Sequence, residues 1–318
     1  MIRLYSQAEP QQRGELPFVS VVIPVLNNEG ELQRCLAALE RQTYPGDRYE
    51  VIVVDNGSAR AIAQVAGGYQ HVQVAREVQS GAYAARNKGL TLARGDIIAF
   101  TDSDCTPSPE WLAQGVRALE AHEADLVGGH VRFSAPQRLT GADVYDMIAH
   151  LRVDRYIHEE RAAVTANLFV RAGVFEKIGT FSLVKSGGDI LFTRRATSAG
   201  HRLVYAPAAE VLHPTRQLNK LLRKQFQVGK GHRAIRLAQR LDATQSLSGA
   251  SVAPTKRHTK LHRLARTLKG MLPMPFTTIM QGMREQNLPL KPMLVARVWV
   301  VAWLARVAKT AGGLSIFN

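Results

Sequence analysis

The chain has 318 residues, enough for two domains of about 150 residues or for one large α/β domain with an appendage. Hydrophobic residues make up 46% and charged residues 21%, with 25 Gly and 14 Pro spread along the chain, which excludes collagen-like, fibrous and disordered polymers. The net charge of +15 is unevenly held: residues 1–213 carry 22 Lys and Arg against 24 Asp and Glu, whereas residues 214–318 carry 19 against only Asp242 and Glu285. So basic a C-terminal module points to a polyanionic partner, either nucleic acid or an anionic membrane surface.

The first 16 residues read as an N-terminal extension without the apolar run of a secretory signal. With only Cys35 and Cys105 a disulfide framework is excluded, and a reducing cytoplasm is expected. PFVSVVIPVL (17–26) predicts a buried strand, and Leu32, Cys35, Leu36 and Leu39 fall at helical spacing in a helix from Glu29 to Gln42. EVIVVD (50–55) predicts a second strand, 71–75 a short third, 81–93 a helix and GDIIAFTDSD (95–104) a further strand ending in acids. Ser108 and Pro109 open the next helix, followed by a strand near 126–133, one helix over 141–162 and a strand at 202–206. Strands alternating with helices predict an α/β fold with a mostly parallel, Rossmann-like sheet flanked by helices.

Ligands of such sheets bind at the carboxyl ends of the strands. Three polar clusters stand there: Pro24 to Glu29, Asp55-Asn56-Gly57-Ser58, and Asp102-Ser103-Asp104. Neither GxGxxG nor GxxxxGK[ST] occurs at the expected places, so a bound nucleotide would have to be held by acids and a metal. Asp102 and Asp104, two residues apart, point to the same side and suit Mg²⁺ or Mn²⁺. Alone, each cluster is also an ordinary turn sequence.

Four blocks, VSVVIPVLNNEGELQRCLAALERQTYPGDRYEVIVVDNGS, GAYAARNKGLTLARGDIIAFTDSDCTPSPEWL, NLFVRAGVFEKIGTF and GGDILFTRRATSAGHRLVYAPAAEVLHP, resemble in order and spacing those of family 2 glycosyltransferases. The resemblance covers about residues 17–214. It implies a GT-A fold and an inverting, nucleotide-sugar-dependent transferase. It further implies that Pro24, Glu29 and Asp55 surround the base and ribose, and that Arg86 and Asn87 lie near the pyrophosphate or donor sugar. Asp102 and Asp104 match the family's DxD motif, with Asp104 as metal ligand and Asp102 nearer the ribose. His213 matches a position that approaches the same metal or the diphosphate. Asp189 matches the general base. Gly188 departs from the pattern, because Glu is usual there. Cys105 beside the acids reads as a small buried residue.

Residues 215–318 lie outside the resemblance. From Arg257 to Leu272 a leucine stripe with Lys260, Arg263, Arg266 and Lys269 around it predicts a basic amphipathic helix. PMLVARVWVVAWLARVAKTAGG (292–313) is apolar, but Arg297 and Arg306 leave only eight residues uninterrupted, and a central arginine costs about 3 kcal/mol in a spanning helix. The segment is expected to be interfacial or packed on protein. No nucleic-acid motif accompanies the charge, so the expected partners are a nucleotide-sugar donor, a glycan or lipid-linked acceptor and an anionic membrane, with the protein peripheral at the inner face of the cell membrane. Two other readings compete: a non-catalytic nucleotide-sugar- or membrane-binding protein, and a sugar nucleotidyltransferase, for which PVLNNEG is a poor match to a Gly-rich, Arg/Lys-containing loop.

Overall fold

The computed structural model describes residues 15–231 and 270–315. In chain order its elements are β1 (Val19–Val25), α1 (Glu29–Leu39), β2 (Tyr49–Asp55), α2 (Ile62–Ala66), β3 (Val72–Arg76), α3 (Ala82–Leu90), β4 (Ile97–Thr101), β5 (Thr106–Pro107) and α4 (Trp111–Ala121). Then follow β6 (Leu126–Ser134), α5 (Gly141–Ala149), α6 (Val153–Glu160), β7 (Asn167–Arg171), α7 (Ala172–Ile178), α8 (Gly188–Ser198) and β8 (Leu203–Pro214). Helix α9 occupies 218–231, and α10 (Phe276–Glu285) and α11 (Pro292–Leu314) close the chain. The chain forms two compact units. The first holds the residues up to Ser134, Leu151–Leu183 and Gly188–Pro214, and the second holds Ala135–His150, Val184–Gly187 and the chain from Thr215 onward.

The first unit is an eight-stranded mixed sheet, in the order β3-β2-β1-β4-β7-β6-β8-β5, flanked by helices. β1, β2, β3 and β4 run parallel, as do β6 and β8, while β7 is antiparallel to both β4 and β6. The sheet is mostly parallel around β1, as expected, and β7 is the strand that the alternation of elements does not predict. Only five residues long, NLFVR runs straight into α7, and Thr101 to Ile97 of β4 pair with it residue by residue. β8 is longer than expected, twelve residues instead of the core of 202–206, because a register shift at Gly129/His130 lets pairing with β6 resume as far as Pro214. The single helix expected over 141–162 is two: Leu151 takes φ 50°, which ends α5 before α6 begins.

The order of strands reverses at β1, whose two neighbours are β2 and β4. Pairing with β2 continues to Val25↔Asp55, but pairing with β4 stops at Val22↔Phe100. Beyond Val22 β1 and β4 no longer pair, at the topological switch point where ligands of open α/β sheets bind. Val25 accepts a hydrogen bond from Asn56 N on the β2 side, so Pro24 turns its missing N–H toward β4, where no ladder partner exists. Helices press close on this sheet: a Cβ at Gly89 of α3 would lie 2.4 Å from Val22 Cγ1, and one at Gly115 of α4 would lie 2.3 Å from Phe169.

The second unit buries Val144, Tyr145 and Ile148 of α5 with Leu221, Ile279, Met283, Val295, Val298, Ala302 and Ala305. A polar staple reinforces it. Asp146, fully buried, accepts from Arg216 N at 2.8 Å and Arg216 Nη1 at 2.9 Å and pairs with His150 Nδ1 at 2.8 Å. Burial alone would raise the Asp146 carboxyl, but the His150 hydrogen bond and the Arg216 charge outweigh it and hold the group below its ordinary value. Helix α11 buries one face and exposes Met293, Val300 and Trp303 on another. Trp299 and Trp303 donate their indole N–H groups to Met274 O and Met271 O, and Phe276 stacks on Trp299 at 5.1 Å. No described helix is long and apolar enough to cross a membrane. The leucine stripe expected over 257–272 lies outside the described residues except for its last three positions.

Candidate active site

Loops from successive strands are tied together at the carboxyl edge of the first unit's sheet. Asn27, at φ 50°, receives a hydrogen bond from Ala59 N on its side chain and donates its own N–H to Ser58 Oγ. Asn28 Nδ2 donates to Ser103 Oγ at 3.1 Å, and Asn56 bonds Gly81 N, Glu77 O and Gln79 O. The loops after β1, β2 and β4 therefore meet, as the three polar clusters predict. Asparagine is suited to this: it tolerates left-handed backbone and bridges main-chain groups with both ends of its amide.

Pro24, next to the last residue of β1, is buried, and Glu29 opens α1, half-buried. Asp55, buried at the end of β2, accepts Ser58 N on Oδ1, so the turn expected of Asp-Asn-Gly-Ser engages one carboxylate oxygen. On α3, Tyr83, Arg86 and Asn87 stand at i, i+3 and i+4 and share a face. Arg86 is 4% exposed, donates from Nη2 to Asp102 Oδ1 at 2.5 Å and lies 5.4 Å from the Tyr83 ring centroid; its Nε is buried with no partner. Asn87 commits both ends of its amide to the Phe181 peptide, donating to Phe181 O at 2.9 Å and accepting Phe181 N at 3.1 Å. That makes it a strut for the 181 loop.

Asp104 reaches His213 through strand pairing. β5 runs antiparallel to β8 with Thr106 opposite Leu212, which carries the preceding acid alongside the end of β8. His213 Nε2 then lies 3.7 Å from Asp104 Oδ1, while Nδ1 lies 2.7 Å from Pro214 O. A carbonyl only accepts, so Nδ1 is the donor to Pro214 O, and Nε2 is the ring nitrogen that faces Asp104. Two donors 3.7 Å apart suit one divalent ion, because ligand bonds of about 2.1 Å span at most roughly 4.2 Å. Among the described residues no cluster of three His, Cys, Asp or Glu could hold a metal, and Asp102 is paired with Arg86. The donor set fits an ion that takes the rest of its ligands from phosphate and water, as Mg²⁺ commonly does.

Asp189 lies in the first turn of α8, one residue inside the helix. It is 9% exposed. Oδ1 accepts Tyr83 Oη–H at 2.8 Å and Ile190 N at 2.9 Å, and Oδ2 accepts Thr165 N at 3.2 Å and Thr165 Oγ1 at 3.4 Å. Tyr83 and Thr165 are the residues that sequence reading does not find. Burial, then the Asp189 charge, raise the Tyr83 phenol far above its ordinary value, with Arg86 opposing, so it stays protonated and donating. Burial, followed by the charges of Asp102 and Asp104, likewise raises both cysteine thiols, which leaves no nucleophilic thiolate.

The model of the "Glycosyl transferase family 2" family matches residues 20–185. The chain is 39% identical over 306 residues to the glycosyltransferase AglE of Haloferax volcanii, covering 94% of this chain and 96% of that one. The chain belongs to glycosyltransferase family 2. It is also 32% identical over 217 residues to the pre-mycofactocin glycosyltransferase of Mycobacterium tuberculosis, covering 62% of this chain and 43% of that one. Among solved structures it resembles the mannosyltransferase PcManGT of Pyrobaculum calidifontis in complex with GDP-Man and Mn²⁺ (TM-score 0.58, 19% identity, 94% of this chain and 88% of that one). It also resembles residues 1–349 of S. aureus TarS in complex with UDP-GlcNAc (TM-score 0.53, 19% identity, 92% and 90%). The fold is GT-A, and the family 2 assignment makes the protein a glycosyltransferase.

Proposed function

We propose that this glycosyltransferase transfers a sugar from a nucleoside diphosphate donor to a hydroxyl with inversion, in one displacement. The observation that carries the reading is Asp189, a buried carboxylate held by Tyr83 and Thr165 at the same sheet edge as the Asp104–His213 pair. Asp189 takes the proton of the acceptor O–H as that oxygen bonds the anomeric carbon and the bond to the diphosphate breaks. Asp104 and His213 would hold a divalent cation, which supplies charge neutralisation for the departing diphosphate. Arg86, carrying a buried Nε–H without a protein acceptor, adds positive charge for the donor phosphates, and Pro24, Glu29, Asp55 and Asp102 line the base and ribose. The Mn²⁺ and GDP-Man of the PcManGT complex, and the UDP-GlcNAc of the TarS complex, support a metal and a nucleotide-sugar donor.

The acceptor is a glycan or lipid-linked hydroxyl presented at a membrane, and the protein is peripheral at the cytoplasmic face of the cell membrane, anchored by the basic module after residue 214. Screening the full chain with Mn²⁺ or Mg²⁺ against UDP-, GDP- and dTDP-sugars tests the enzyme reading. Metal-dependent release of nucleoside diphosphate from one of them is expected; release that is independent of metal, or from none of them, would overturn the proposed donor and metal.

A further inference from the structure

Position 188 has no side chain, and the space beside it is filled. A Cβ built on Gly188 would lie 2.9 Å from Tyr83 Cδ2 and Cε2 and 3.0 Å from Ser182 O. The Tyr83 ring therefore occupies the volume into which any larger residue at 188 would project, and from there its hydroxyl reaches the neighbouring Asp189. We propose that Tyr83 is the positioning residue for Asp189, its phenol fixing Oδ1 from the space that Gly188 leaves, so that Oδ2 is the oxygen that takes the acceptor's proton. This rests on the reading of Asp189 as the base.

The two carboxylate oxygens are unequal. Oδ1 is held by two short hydrogen bonds, from Tyr83 and from Ile190 N, whereas those to Oδ2 from Thr165 are longer, at 3.2 and 3.4 Å. Two short bonds to one oxygen stop the carboxylate from turning and leave the other oxygen the less satisfied acceptor. The phenol is itself fixed. It is 8% exposed, lies beneath the Arg86 guanidinium and packs on Phe181 at 5.9 Å between centroids, and Asn87 pins the Phe181 peptide from the same helix. Arg86 in turn holds Asp102, so one helix face sets the geometry of an acid assigned to the donor and of the acid assigned to the base. A Phe at 83 would keep the ring packing and remove only the hydroxyl.

The test uses the full chain and hydrolysis of whichever nucleotide sugar the wild type turns over fastest. Tyr83→Phe is expected to lower kcat about 10- to 100-fold, within the range general-base geometry controls, with KM for the donor within about two-fold. In an Asp189→Asn background the same change should cost nothing further. Wild-type turnover in Asp189→Asn would overturn the base reading itself. Loss of turnover in Asp189→Asn with wild-type kcat in Tyr83→Phe would overturn only the positioning role, and so would loss of cooperative melting in Tyr83→Phe, which would make the phenol a folding contact. A second readout needs no donor. Gly188→Ala should lower the melting temperature of the wild type more than that of Tyr83→Ala, where the ring is gone and only Ser182 O stays close; an equal drop in both would refute the shared volume.

Discussion

Asp104 and His213 are separated by more than a hundred residues and meet because a two-residue strand pairs with the end of β8. Asp104→Ala removes one of the two protein donors proposed among the described residues, and a lone imidazole is a poor holder of Mg²⁺. The expected outcome is loss of metal-dependent nucleotide binding with the fold intact, read by calorimetry with and without the ion; unchanged metal-dependent affinity would remove Asp104 from the assignment. Asp189→Asn keeps the shape but cannot take a proton. Transfer should fall about 10²- to 10⁴-fold while donor affinity holds, measured as turnover against nucleotide binding. Asp104 is legible because it follows an apolar run, where a charge needs a reason, whereas Asp189 is legible only through the resemblance of the GGDILF block to the family's general base. Tyr83 and Thr165 carry no such mark: a tyrosine on a helix face reads as core, and only the path of the chain brings it to Asp189.

Helices and strands follow the same division. Runs such as VSVVIPV and YEVIVVD are buried throughout, and their length and β-branched content identify them as central strands. Two errors have a common source, since apolar spacing records which face is buried and not where the backbone turns. It continues past Leu151, so it misses the break there, and it is too short over NLFVR to separate a strand from the start of α7. The break matters to the second unit, because α5 ends in the Asp146–His150–Arg216 staple. Removing the buried carboxylate leaves the Arg216 guanidinium and the His150 ring without it, and Asp146→Ala should cost about 3 kcal/mol at neutral pH. The sign of the pH dependence follows from the lowered Asp146 value. Its contribution is complete above the unfolded carboxyl value of 3.8 and is lost as pH falls through the folded value. Urea unfolding at neutral pH should separate wild type from variant, and the gap should close in acid below that value; a constant gap would mean that the staple acts through packing alone.

Across the whole chain, the charge division at residue 213 is plain in the sequence, yet what faces the charge is not, since a solvated helical cover has the same composition. The second unit adds apolar evidence. Leu272, Met293, Val300 and Trp303 are exposed, with Met293 70% and Leu272 60% accessible, although α11 already buries its opposite face. The indole N–H groups are satisfied by main-chain carbonyls, so exposing the rings leaves no polar donor to be stripped of water on insertion. Apolar side chains within a segment that carries 19 basic residues and two acids suit the boundary of an anionic bilayer. Each Lys or Arg near such a surface contributes about 1 kcal/mol, screened beyond roughly 8 Å at physiological salt. The full chain should therefore cosediment with phosphatidylglycerol vesicles at low salt, less so at high salt, and not with neutral phosphatidylcholine vesicles. Leu272→Ser with Met293→Ser leaves the charge unchanged and should weaken the salt-resistant part of binding, because that part is apolar. If the wild type stays in the supernatant at low salt, the membrane reading fails. If it binds and the double variant binds equally at high salt, the attachment is electrostatic and this face of α11 serves another contact.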